Sequence, residues 1–252
     1  MALPSLPSKL GKEPLLDVVF EVRFRSTSSP TEILPGLLFA DLSREDEVKV
    51  TRLPMADLPA PIRHSEPSLR FSPLVQVELS RYLILVGERS LAIACKLPYP
   101  GWKEFRAIII RIVSKLLESN FAESIERYSL KYVDLIATED RAEQVRSFNC
   151  NIRIGDNQLT NQITNVRMET VKDGVVHAIT ILIGAQATLK SGEIRSGGVI
   201  DVDSIVNLTQ MSPPEFLEQL GQLIDRLHDD NKAVFFNCLA PEALTALEPI
   251  YA

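Results

Sequence analysis

The sequence predicts an α+β protein of two β-α-β-β-β-β-α repeats, in which antiparallel sheet is covered on one face by long helices. Three observations carry that expectation. Segments of period-two alternation recur along the chain, two stretches place apolar residues at i, i+3, i+4 and i+7, and a Ser-Pro pattern opens a helix in each half, at Ser29-Pro30 and Ser212-Pro213. With 252 residues, 45% hydrophobic and 24% charged, the chain has enough apolar material for a large core and no compositional mark of disorder or fibrous structure.

The opening MALPSLPSKLGKEP lacks a charged start followed by an apolar run, so residues 1–13 read as a flexible arm and not as a signal peptide. From Leu15 to Arg25, the apolar Leu16, Val18, Phe20, Val22 and Phe24 alternate with Asp17, Glu21, Arg23 and Arg25, the mark of a strand with one buried face. Ser29-Pro30-Thr31-Glu32 supplies an N-cap, a proline at N1 and a glutamate at N3, and Ile33, Leu34, Leu37, Leu38 and Leu42 continue at helical spacing despite Pro35 and Gly36. Residues 47–53 read as a strand, and the proline-rich run from Pro54 to Pro67 as a surface loop. A meander follows from Leu69 to Leu79, Tyr82 to Glu88 and Leu91 to Leu97, turning at Ser80-Arg81 and Arg89-Ser90. Behind Pro98-Tyr99-Pro100-Gly101, the stripe Trp102, Phe105, Ile108, Ile109, Ile112, Val113, Leu116 and Leu117 predicts a long amphipathic helix lying on that sheet.

Residues 14–124 thus form a first repeat, and 125–252 a second that packs with it as one compact unit. The second opens with a strand from Ile125 to Ala137 and a weaker helical segment from Glu139 to Phe148. Strands are expected at Asn151 to Gly155 or slightly later, Ile163 to Val171, Val175 to Leu189 and Val199 to Leu208, with Asp173-Gly174 as a hairpin turn. Ser212-Pro213-Pro214-Glu215 starts a helix carrying Phe216, Leu217, Leu220, Leu223, Ile224 and Leu227, the counterpart of the helix at Trp102.

A formal charge of −6 and a pI near 5.3 oppose the cationic footprint that a phosphate backbone requires, so nucleic acid is disfavoured as a partner. Arg23 and Arg25 stand beside Asp17 and Glu21 and read as a mixed, solvated face. Cys95, Cys150 and Cys238 are odd in number and lack C-x-x-C spacing, which argues against a disulfide framework or zinc ribbon and for a cytoplasmic, reducing location. Cys95 alternates with Leu91, Ile93 and Leu97 and reads as a buried small hydrophobe. Apolar runs are broken by Arg106, Arg111, Lys115 or Gly184 before the roughly 20 residues that cross a bilayer, so no membrane association is expected. The sequence contains no G-x-G-x-x-G, no G-x-x-x-x-G-K-[ST], no G-x-S-x-G and no H-E-x-x-H, and no cofactor is expected.

The densest group of acid-base side chains is His228-Asp229-Asp230 with Asp225 one turn earlier, which makes His228, Asp225 and Asp229 the catalytic candidates. The competing role for His228 is to meet the dipole near a helix end. The only other histidines are His64, in a loop, and His177, in a strand, so no metal site is expected. Asp201 and Asp203, two apart on a strand, share a face; they could hold a cation or exchange a proton, or pair as solvated acids with Arg195 or Arg167. Trp102 and the neighbouring Tyr99 could stack on a ligand, or staple their helix to the sheet. Ser191-Gly192 and Ser196-Gly197-Gly198, with Lys190 and Arg195, could cradle an anion or form a plain hairpin turn.

Four stretches carry a family resemblance: Pro14-Leu-Leu-Asp-Val-Val-Phe-Glu-Val-Arg-Phe24, Tyr99-Pro-Gly-Trp-Lys-Glu-Phe105, Tyr128-Ser-Leu-Lys-Tyr-Val-Asp134 and Leu227-His-Asp-Asp-Asn-Lys232, the last followed by Phe235. Together they resemble a sporadically distributed, uncharacterised family of bacterial proteins with no assigned reaction. The chain departs from it at Asp134, where that family carries a small polar residue. The resemblance implies a place in an accessory or defence-type system and transfers no catalytic residue. By element order alone, each repeat resembles TATA-box-binding-protein-like and helix-grip folds, and fold analogy assigns no function.

The missing motifs direct the functional expectation to a non-catalytic interaction or regulatory protein that holds a protein partner on an exposed sheet face or in the groove between its halves. A homo-oligomer is compatible with that. The alternative is a small-molecule binder with a pocket between long helix and sheet, to which carboxylates near His228 would add a hydrolase activity. The first requires filled cores and an exposed apolar patch, the second an enclosed cavity.

Overall fold

A computed structural model of the chain describes residues 6–26, 28–188 and 192–251. It divides into two compact units drawn from separated segments. One comprises Asp17–Leu130 and Ile205–Leu227; the other comprises the chain up to Leu16, Lys131–Ser204, and the chain from His228.

Strand β1 (Lys9–Leu10) is followed by β2 (Leu15–Ser26), in which Val18, Phe20, Val22 and Phe24 are fully buried on one face, as their alternation predicts. Helix α1 (Pro30–Leu42) starts at its proline and continues through Pro35, burying Leu34, Leu38 and Leu42 and exposing Ile33 and Leu37. After β3 (Lys49–Arg52), the stretch expected to be an irregular loop contains a 3-10 turn at Pro54–Asp57 and a short helix, α2 (Ala60–Ser65). Both have proline in the first two positions, where a missing N–H leaves no bond unmade, so proline richness here starts helical turns where the sequence reading saw only breakers. The next strand is shorter than expected: β4 spans Pro73–Glu78, because Leu69 N–H bonds Glu66 O (3.0 Å) and Ser72 N–H bonds Leu69 O (2.9 Å) in successive turns. β5 (Tyr82–Gly87), β6 (Ser90–Cys95) and α3 (Trp102–Glu118) complete this series as the pattern predicts.

β7 (Ala122–Ala137) leads to α4 (Arg141–Arg146), capped by the Asp140 carboxylate accepting from Ala142 N–H at 2.7 Å. The strand expected near residue 151 is reduced to a hairpin of β8 (Arg153–Ile154) and β9 (Asn157–Gln158), which pair only with each other. β10 (Thr164–Lys172), β11 (Val175–Thr188) and β12 (Ile194–Met211) follow, then α5 (Pro213–Cys238), α6 (Pro241–Ala246) and β13 (Pro249–Ile250).

In the first unit, β2, β6, β5, β4 and β3 are neighbours in that order, each pair antiparallel. Phe20, Phe24, Leu34, Leu38, Ile84, Leu91, Ile93, Phe105, Ile109, Ile112 and Leu116 are among its fully buried large side chains, so sheet, α1 and α3 share one core. In the second unit, β10 turns into β11 through Asp173 and Gly174, both at positive φ (50° and 82°), a conformation that glycine adopts without strain and aspartate tolerates. β12 and then β7 lie beyond β11, and β1 pairs antiparallel with β13. Ile136, Phe148, Ile183, Ile200, Val202, Phe235, Leu239 and Leu247 form this unit's core. No helix among the described residues is long and apolar enough to cross a membrane.

Candidate functional site

The side chains picked out in the sequence are mostly engaged in structural contacts. Asp225 accepts the indole N–H of Trp102 at 2.9 Å and the Nε–H of Arg106 at 2.8 Å, which ties α5 to α3. Trp102 and Tyr99 both meet Phe105 edge-on, with centroids at 6.4 and 6.1 Å, so the aromatic pair staples the helix start. We expect Asp225→Ala to shift the emission of Trp102, the sole tryptophan, and to cost about 1 kcal/mol of stability, because the half-exposed pair is partly screened. Unchanged fluorescence and melting temperature would contradict this. His228 Nδ1 lies 3.3 Å from the exposed Asp229 carboxylate, and its ring meets Tyr132 edge-on at 6.2 Å. Among the described residues, no three His, Cys, Asp or Glu side chains converge as metal ligands.

Asp201 pairs with Lys131 Nζ at 2.7 Å, while Arg167 and Arg195 pair with Glu169 and Glu193 on their own segments. The expected pairing of Asp201 or Asp203 with those arginines is therefore replaced by a cross-strand lysine for Asp201; Asp203 is half-buried on the same face. Ser196-Gly197-Gly198 lies inside β12, and its glycines admit neighbours: a Cβ on Gly198 would stand 2.5 Å from Phe148 Cε2, and one on Gly197 would run into the Ile136 carbonyl. Close packing, and no anion cradle, explains these glycines; Lys190 and Ser191 lie outside the described residues. The three cysteines are free thiols, and burial pushes the Cys238 thiol up to about 11, which makes it inert.

Two buried polar features escaped the sequence reading. His177 Nδ1 stands 2.9 Å from Ser204 Oγ, and Asn231 Nδ2 donates to Ser204 Oγ and to the Val202 carbonyl, both at 2.9 Å. All three side chains are buried, and burial holds the imidazole below its ordinary pKa, opposed by Asp230 and aided by Lys172. Asp134 is 7% exposed; burial, reinforced by the charges of Glu13 and Asp201, pushes its carboxyl up to about 8.

An accessible surface feature of the second unit is β10. It is the terminal strand of its sheet, paired only with β11, and none of its nine residues is buried. Val166 and Met168 stand opposite Ile181 and Ile179, and so extend the apolar face of β11 beyond its covered part. Met168 is 51% exposed, Val171 on the other face 73%, and Ile163 just before the strand 75%. The outward backbone N–H and C=O groups of such a strand are free to pair with another chain. Arg167, Glu169 and Lys172 interrupt the apolar side chains, as charges do on natural edge strands. The sequence marks the strand but not its edge position, for which the signal is low hydrophobicity across both faces. No protein-family model matches this chain, and no curated protein matches it.

Proposed function

We propose that this chain is a non-catalytic interaction protein that holds a protein partner by strand addition along β10. The supporting observation is a nine-residue terminal strand with no buried residue and with apolar side chains on both faces. Main-chain hydrogen bonds would supply affinity; Met168 and Val171 would supply side-chain contacts, and Arg167 and Glu169 would set the alignment. The engagement of Asp225 by Trp102 and Arg106 supports a non-catalytic role. We read the three free thiols as belonging to a cytoplasmic protein. We also read the chain as a duplication of one β-α-β-β-β-β-α unit, supported by the long α-helices that close each series.

The test is photo-crosslinking from position 170 of the full chain in its native cell. We expect one stoichiometric protein partner, reduced at least tenfold by Met168→Lys with Val171→Lys and unchanged by Asp156→Lys in the β8–β9 turn. Recovery of only a second copy of the chain, or capture indifferent to the edge substitutions, overturns the reading.

A further inference from the structure

In the unit built on residues 17–130, a cleft of about 500 Å³ opens where three connecting segments meet. Ser28 and Ser29, between β2 and α1, give it hydroxyls, while the hydroxyl of Ser26, the last residue of β2, donates to the Phe121 carbonyl at 2.7 Å. Ser29 Oγ shares a 2.6 Å hydrogen bond with Thr31 Oγ1 and does not cap α1, and the Ser28 hydroxyl makes no hydrogen bond within the described residues. His64 from α2, Arg70 from the turn before β4, and Glu88 and Arg89 from the β5–β6 turn complete the lining.

The charges on this lining do not balance. Glu88 is held by Arg63 Nη2 at 2.8 Å and by His64 Nε2 at 3.0 Å. Burial raises its carboxyl, but those hydrogen bonds outweigh burial and leave it below the ordinary glutamate range, so it is a compensated carboxylate. Arg89 Nη2 reaches both oxygens of Glu126 at 2.9 Å. Arg70 has no ion pair among the described residues, and its guanidinium lies 5.7 Å from the Phe71 ring centroid. Arg23 and Arg89 crowd the same ring at 4.3 and 5.8 Å. Glu21 holds Arg23 at 2.6 Å and Glu126 holds Arg89, so Arg70 is the one of the three that meets the ring without an ion pair among the described residues. Around the cleft, Arg23, Arg25, Arg63, Arg70 and Arg89 meet Glu21, Glu88 and Glu126, an excess of two positive charges in a chain whose formal charge is −6.

We propose that this cleft binds the phosphate group of a small phosphorylated molecule. A tetrahedral, doubly charged phosphate uses guanidinium forks and hydroxyl donors together, whereas a planar carboxylate is satisfied by one arginine and leaves the serines idle. The volume lies within the range of small-molecule sites and leaves room for an organic group beyond the phosphate. The acidic balance of the chain as a whole opposes a polyphosphate backbone as the occupant. This proposal is independent of the β10 reading, since it concerns different residues in the other unit.

The experiment is an NMR titration of the full chain at low salt with phenyl phosphate, inorganic phosphate and phenol. Wild type should show saturable shifts with phenyl phosphate, displaced by inorganic phosphate, and none with phenol. Arg70→Glu, at an exposed position that folding does not depend on, should weaken phenyl phosphate at least tenfold while keeping the wild-type melting temperature; Arg153→Glu, far along the chain, should bind as wild type does. Absence of saturable binding, equal binding of phenol, failure of inorganic phosphate to compete, or an Arg70→Glu variant that binds like wild type would each overturn the proposal.

Discussion

Asp134→Asn is expected to raise the stability of the protein at pH 8 and to leave it nearly unchanged at pH 4. The Asp134 carboxyl is buried and pushed up to about 8, while in the unfolded chain it returns to the ordinary aspartate range near 4. Between those two values the unfolded state releases a proton that the folded state keeps. Rising pH therefore favours unfolding, by at most ~1.4 kcal/mol per pH unit, and the loss levels off above the folded value. Asparagine keeps the shape and cannot ionise, so its profile lacks this slope. Denaturation midpoints of both proteins at pH 5, 6, 7 and 8 provide the check. Parallel profiles would mean that Asp134 titrates normally and that neither burial nor the charges of Glu13 and Asp201 act on it.

Phe105→Ala should cost about 3–5 kcal/mol, the range for emptying a buried aromatic site. The ring is fully buried, stacks on Tyr82 at 6.3 Å with an interplanar angle of 14°, and receives Tyr99 and Trp102 edge-on. Burial also pushes the Tyr82 phenol up to about 12, so the cavity would border a group that stays neutral and cannot be rescued by ionisation. Phe105→Leu should lose less than half as much, since it retains most of the volume. Urea midpoints together with near-ultraviolet circular dichroism measure both effects. A loss below 1 kcal/mol for the alanine variant would show that the aromatic group does not anchor α3.

The elements whose periodicity is long were legible in advance. The stripe from Trp102 to Leu117 fixes α3 to within a residue, because a buried face repeated over several turns has no other solution. The proline-rich stretch was not legible, since proline both ends and begins helical turns and only the surrounding hydrogen bonds decide which. Helix α5 runs to Cys238, past the last apolar residue counted toward its stripe, because Phe235 belongs to the core of the second unit and Val234, Phe236 and Cys238 pack against that core. Sites were harder to read than elements. Asp225 and His228 look like one catalytic cluster when written on a helix, yet the carboxylate belongs to Trp102 and Arg106. The cleft escaped because its residues, from Ser26 to Arg89, sit in turns that no periodicity describes and meet only when the strands between them pair. Asp134 stood out only as a departure from a resemblance; its burial is invisible in a strand where both parities carry apolar residues.

The hydroxyl of Ser204 has a further consequence for how β12 is aligned. Sliding that strand by one residue would turn its inner face outward, which hydrophobic alternation already forbids. Sliding it by two keeps inward positions inward, because Val202, Ser204 and Val206 share one parity, but it brings side chains to the places of Gly197 and Gly198, where a Cβ would run into the Ile136 carbonyl and Phe148. The slip would also place a valine where Ser204 stands and leave His177 Nδ1 without its partner in the core, at ~1–3 kcal/mol, while Asn231 Nδ2 would keep a backbone carbonyl to donate to. One oxygen atom and two glycines thus index an 18-residue strand against its neighbours, each excluding frames that the parity of the apolar side chains leaves open.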